Sequence, residues 1–196
     1  MLCQAIHLTL LDHHVTAQED LKGLFEWGVA YTGRESKIVF DVEKSGARLT
    51  WEQLCDPRML RSGARGNSPW MLVDYTEDRD LWRWRLPNSR QVSAALASYP
   101  RTIQQWDRIY DEMPVDDLAQ EGAAILRYQE QIIEAACVHA TEMEIAGHLV
   151  PVVNATCMIS EIGQKLAQGQ PFACVYFLTQ DKVVHSLRSV PDGLDV

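Results

Sequence analysis

An α/β fold built on a parallel sheet is predicted from three observations. Short apolar runs rich in β-favouring residues stop abruptly at polar clusters, helical spacing follows them, and strands alternate with helices through the N-terminal half. The second half then repeats the strand–helix theme on a smaller scale. The predicted organisation is a parallel-sheet domain over residues 1–112, a linker helix over 113–146 and a smaller α/β domain over 147–196. In open parallel sheets, ligands bind beyond the carboxyl ends of the strands, so the polar clusters there are the first places to look for chemistry.

Residues 5–11 form the first apolar run, which ends at Asp12-His13-His14. Thr16-Ala17-Gln18-Glu19 matches a capping box, and Leu21, Leu24 and Phe25 continue at helical spacing before Gly28. Residues 37–42 read as a second strand, and Ser45-Gly46-Ala47 opens a helix that carries Leu49 and Leu54. Residues 70–75 read as a third strand ending in Glu77-Asp78-Arg79-Asp80. From Arg101 the pattern is helical, with Ile103, Trp106 and Ile109 on one stripe. After the break at Pro114 a long helix is predicted over residues 116–146, with Ile125, Ile132, Ile133 and Ala136 on its apolar side and Gly147 as its stop. A strand over 149–153 follows, then a helix over 160–167 capped by Ser160 and stopped by Gly169. Residues 172–177 and 183–187 form a hairpin turning at 179–182.

Composition narrows the class. Hydrophobic residues make up 46% of the 196, which excludes intrinsic disorder. A net charge of -9 argues against binding long nucleic acid by charge alone, so any phosphate recognition must be local. The cation of choice is arginine, with 13 against 5 lysines, and guanidinium forks suit phosphate oxygens. The five cysteines contain no Cys-x-x-Cys pair and sit among apolar neighbours, as reduced packing residues do. No apolar run is long enough for a bilayer and no leader pattern is visible, so a cytoplasmic location is expected, with no membrane partner.

Asp12, His13 and His14 can do metal chemistry, because a neutral imidazole ligates divalent ions while a neighbouring carboxylate orients the ring or shares the ion. Asp78 and Asp80 would add hard oxygen ligands, giving a mixed set suited to manganese. A plain polar loop and a solvated acidic turn paired with Arg79 or Arg83 fit the same spacing. Trp82 and Trp84 could stack on a base or could be core.

The order of motifs resembles the DHH-family phosphoesterases, most of all the branch of oligoribonucleases and cyclic-nucleotide phosphodiesterases. Leu10-Leu11-Asp12-His13-His14 with Thr16-Ala17 is similar to the signature, and Phe40-Asp41 with Ser45-Gly46-Ala47 and Trp51 to the segment after it. The stretch from Asp74 through Asp78-Arg79-Asp80 to Trp82 is similar to the fourth motif. Val150-Pro151-Val152-Val153-Asn154-Ala155 with Ser186-Leu187-Arg188-Ser189 is similar to the start of the DHHA1 domain. The resemblance implies that residues 1–112 are the C-terminal portion of a DHH domain without its N-terminal strands. It implies that residues 147–196 are the N-terminal portion of a DHHA1 substrate-binding domain.

On that resemblance His13 and Asp78 are direct Mn2+ ligands, with Asp80 as the alternative if the fourth motif is displaced by two. Asp12 and His14 support the ion or reach the phosphate, and Arg188 with Ser189 grips a substrate phosphate. The implied reaction is hydrolysis of phosphodiester bonds in short oligonucleotides or cyclic nucleotides at a two-ion centre. Polyphosphate or pyrophosphate is the alternative substrate, and a non-catalytic protein that binds a nucleotide or a protein partner is the alternative function. A homodimer is compatible with the family. The family's aspartate-rich motif is not found before Asp12 and its Gly-Gly-Gly-His loop is not found after Val196, so an incomplete metal site, inactive by itself, is expected.

Overall fold

The computed structural model describes residues 8–21, 36–55, 70–190, 193, 194 and 196. The chain divides into two compact units, Met1–Ala123 and Ala124–Val196. The fold class is α/β, and the described residues form one parallel and one mixed sheet. Among the described residues no helix is long and apolar enough to cross a membrane.

In the N-terminal unit, β1 (Leu8–Asp12) and β2 (Ser36–Phe40) pair in parallel, with Leu10 opposite Ile38 and Asp12 opposite Phe40. Both strands therefore end at one edge, where Asp12 and Asp41 are tied by the Asp41 N–H to the Asp12 carbonyl at 3.3 Å. Helix α1 (Val15–Asp20) follows β1, and the predicted Leu24, Phe25 and Gly28 lie outside the described residues, as do residues 5–7. Helix α2 (Gly46–Leu54) starts where expected, because the Ser45 side chain accepts the Arg48 N–H at 3.1 Å.

The predicted third strand is corrected. Residues 71–80 instead form α3 (Met71–Asp80), with Trp70 as its N-cap, and its buried residues Met71, Tyr75 and Asp78 recur at helical spacing. A short apolar run followed by charges has no distinguishing period of its own, and here packing on neighbouring helices decides the matter. Next come α4 (Ser89–Ser98), α5 (Ile103–Glu112) and α6 (Val115–Cys137). Met71, Tyr75, Val92, Ala95, Leu96, Ile109, Leu118 and Ala119 form the core among them. Ile109 is fully buried, while Ile103, expected on the same stripe, is 77% exposed.

Helices α4 and α6 approach closely. A Cβ on Gly122 would lie 1.7 Å from the Gln91 carbonyl oxygen and 3.1 Å from the Ala95 nitrogen. Only hydrogen fits there, against the backbone of α4 at Gln91 and Ala95.

The C-terminal unit corrects the predicted helix over 116–146. Helix α6 ends at Cys137, and residues 141–145 are instead β3 (Thr141–Ile145). Ala146 and Gly147, at φ 50° and 81°, make a two-residue turn into β4 (His148–Asn154), so Gly147 closes a hairpin rather than a helix. Helix α7 (Ile159–Leu166) then leads to β5 (Ala173–Leu178), parallel to β4, and β6 (Val183–Arg188) returns antiparallel. The sheet order is β3-β4-β5-β6. Val153, Val175 and Ile162 are buried with Ile133, Ala136 and Cys137 of α6, while Val150, Val152, Phe172 and Cys174 form a second cluster. The Thr179–Lys182 turn forms as expected, with the Thr179 N–H donating to the Lys182 carbonyl at 2.8 Å.

Candidate functional site

Asp12, the last residue of β1, organises the loop behind it. Its Oδ1 accepts the backbone N–H groups of His13 and His14 at 2.6 and 3.0 Å, and His14 Nδ1 lies 2.8 Å from the same oxygen. This is an Asx-type turn that carries the chain from strand to helix. The backbone bond from His14 is the main reason the Asp12 carboxyl is held below its ordinary value of 3.8. Helix α1 starts at once, with His14 as N-cap and no side-chain cap bond, so the Thr16 capping box expected from the sequence is not used.

The two histidines have different surroundings. The His14 side chain is 68% exposed, that of His13 only 14%. His13 Nε2 lies 3.5 Å from Oδ2 of Asp80, the last residue of α3. The sequence-predicted residue brought to His13 is therefore Asp80.

Asp78 has a different task. It is buried, and its Oδ1 accepts the Arg85 N–H at 2.9 Å while Oδ2 accepts the Leu86 N–H at 3.2 Å and the Ser89 hydroxyl. Burial pushes its pKa up, but the bonds from Ser89, Arg85 and Leu86 and the charge of Arg85 outweigh this, and the net shift is below 3.8. Three donors therefore share the carboxylate that the sequence reading assigned to a metal. They fasten the turn after α3 to the first residue of α4, whose N-cap Asn88 sits at φ 53° without a side-chain cap bond. Among the described residues no group of three or more His, Cys, Asp or Glu side chains is placed to hold a metal ion.

A charged network surrounds the pair. Glu77 Oε2 accepts the Ser45 N–H at 3.1 Å and lies 3.5 Å from Arg48 Nε, and Glu77 Oε1 lies 4.0 Å from Arg83 Nη1. Arg48 also bonds Asp74, while Arg83 donates to the Glu43 carbonyl at 2.7 Å. A Cβ on Gly46 would lie 4.0 Å from His13 Cδ2, so the start of α2 borders the His13 ring. Sequence reasoning named Glu77 only as part of the acidic cluster and Arg83 only as a partner of that turn, and it passed over Arg48. Their signal, acids spaced by three at Asp74 and Glu77, becomes readable only when residues 71–80 are seen as a helix.

Trp82 and Trp84 do not lie on one face of an extended segment. Both have left-handed backbone, φ 55° and 54°, in the turn held by Asp78. Their rings meet edge to face at 5.1 Å, and the Arg90 guanidinium lies 4.5 Å from the Trp84 ring centre. The Trp84 Nε1–H is buried and has no hydrogen-bond partner among the described residues.

In the C-terminal unit, Arg188 ends β6. It donates to the Leu187 carbonyl at 2.7 Å and to the Ser160 hydroxyl at 3.1 Å. Ser160 thus serves Arg188 rather than capping α7, whose N-cap is Met158 at φ 51°. A Cβ at Gly163 would stand 2.8 Å from Arg188 Cγ, so the glycine leaves room for the arginine stem. Ser189 follows at the strand end, half-buried.

The fold and site together define an α/β protein with a histidine–carboxylate pair at the carboxyl end of a parallel strand. No protein-family model, no curated protein and no solved structure matches the chain.

Proposed function

We propose that the chain carries part of the catalytic centre of a manganese-dependent phosphoesterase of the DHH type, acting on phosphodiester bonds of short oligonucleotides or cyclic nucleotides. The observation that carries this reading is the approach of His13 Nε2 to Asp80 Oδ2 at 3.5 Å, beside the carboxyl ends of two parallel strands. One imidazole and one carboxylate form a donor set that suits Mn2+. In this reading His13 and Asp80 hold the ion, with Asp80 taking the role first assigned to Asp78. The chemistry such an ion supplies is Lewis-acid activation of a phosphoester.

The protein's own groups do the rest. Asp12 fixes the His13–His14 loop through its Oδ1. With the Asp12 carboxylate against Nδ1, His14 favours the tautomer protonated there, which leaves Nε2 of an exposed ring as a proton acceptor. Taken by itself, the second unit offers Arg188, with Ser189 beside it at the end of β6, as a candidate grip for a phosphate oxygen.

Titration with Mn2+, followed by the loss of free-ion EPR signal, tests the reading. His13→Ala and Asp80→Asn should each weaken binding by about tenfold or more, the scale on which metal sites respond to lost ligands or their supports. Asp78→Asn should leave affinity within about threefold in any sample that remains folded, since its carboxylate is spent on backbone donors. Unchanged Mn2+ affinity in both His13→Ala and Asp80→Asn would sink the proposal.

A further inference from the structure

We infer that Glu77 is the positioning residue that sets the spacing of the His13–Asp80 pair, an inference that rests on reading that pair as the metal-holding one. Glu77 and Asp80 stand three residues apart on α3, so they share a face of the helix. Asp80 reaches His13, while Glu77 reaches the backbone N–H of Ser45, the N-cap of α2. The next residue, Gly46, borders the His13 ring at 4.0 Å from its Cβ position. A closed circuit results, running from His13 to the start of α2, across to Glu77, along one turn of α3 to Asp80, and back to His13.

In that circuit Glu77 is the tie between α2 and α3 that bears on both members of the pair. Its carboxylate is 15% exposed and flanked by Arg48 on one side and Arg83 on the other. Arg48, on α2, also bonds Asp74 one turn earlier on α3, and Arg83 is anchored to the Glu43 carbonyl, so both guanidinium groups have a second partner that holds them beside Glu77. Two fixed guanidinium groups and one backbone donor therefore hold the carboxylate in place. The rotation of α3 against α2 is set by this grip, and with it the reach of Asp80 toward His13. Glu77 acts through the helices, by its bonds to Ser45, Arg48 and Arg83, and is a positioning residue rather than a catalytic one.

The test uses the whole chain, with Mn2+ as probe and circular dichroism to confirm folding. Glu77→Ala should weaken Mn2+ binding about tenfold in samples that remain folded, the effect expected when the support of a ligand is removed. Glu77→Asp keeps the charge between the arginines but retracts it by one methylene from the Ser45 N–H, and it replaces the alanine variant if that one fails to fold. It should weaken binding as well, while Glu77→Gln, which keeps an acceptor at full reach, should recover part of the loss. Wild-type affinity in Glu77→Asp, alongside lost affinity in His13→Ala, would overturn the inference and leave the metal-holding pair standing. Mn2+ binding that does not depend on His13 and Asp80 would overturn both.

Discussion

Gly122→Ala is expected to destabilise the N-terminal unit by about 3 kcal/mol or more, the upper range for overpacking a core. Two effects oppose each other here. Alanine is the better helix former by about 1 kcal/mol, so on propensity alone the substitution would stabilise α6. Its methyl, however, would fall 1.7 Å from the Gln91 carbonyl oxygen and 2.5 Å from the Gln91 carbonyl carbon, atoms of a helix backbone that no side-chain rotation can move. The steric term wins, and α4 and α6 must separate. All six tryptophans lie before residue 124, so urea unfolding followed by tryptophan fluorescence reports on this unit. An unchanged or raised midpoint would show that the two helices are not packed this closely.

Asp78→Ala should cost about 3 kcal/mol, because it leaves the buried Ser89 hydroxyl and the N–H groups of Arg85 and Leu86 without their acceptor. Asparagine keeps one oxygen but brings a donor to a site already full of donors, so Asp78→Asn should be only partly milder. The pH dependence has a definite sign. The folded pKa of Asp78 is depressed below 3.8, so its stabilisation is complete above the unfolded value and is lost as pH falls through the folded one. Asp12 acts in the same direction. Wild-type stability should therefore drop on acidification below about pH 4, with a shallower drop in Asp78→Asn. Equal slopes for the two proteins in a urea series across that range would remove Asp78 from this role.

The parts of the fold that were legible in the sequence are those where a local cause acts. Asp12-His13-His14 ends a strand because its polar side chains cannot continue the apolar run, and Ser45 starts α2 because its hydroxyl satisfies a free helix donor. The hairpin over β5 and β6 was readable from two β-rich runs around a polar turn. Where residues take their conformation from distant partners, the sequence misled. Residues 70–75 look like a strand until Met71, Tyr75 and Val92 are seen in one core. Helix α4 escaped notice because Ser89, Ser93, Ala94 and Ala95 make up most of its buried residues, and Val92 and Leu96 alone give too thin a hydrophobic stripe to read. Gly147 was read as a helix stop because the left-handed turn it makes with Ala146 has the same residue signature.

The same division explains the site. Aspartates two apart at positions 78 and 80 are equivalent in one dimension, and the choice between them was left to motif alignment. On a helix they are rotated by about 200°, so one must turn inward when the other faces the loop of β1. Asp78 takes the inward place, buried against the turn of Trp82 and Trp84, and Asp80 faces His13.

Helix α6 runs unbroken across the boundary between the two units at Ala123 and Ala124. Leu118 and Ala119 belong to the core of the first unit, while Ile133, Ala136 and Cys137 pack with the sheet of the second. One continuous ladder of amides therefore answers to two separate opening reactions. Hydrogen exchange along α6 should show a step near the boundary. Loosening the first unit through Gly122→Ala should speed exchange before residue 124, while the amides around Ile133 keep the protection of their own unit.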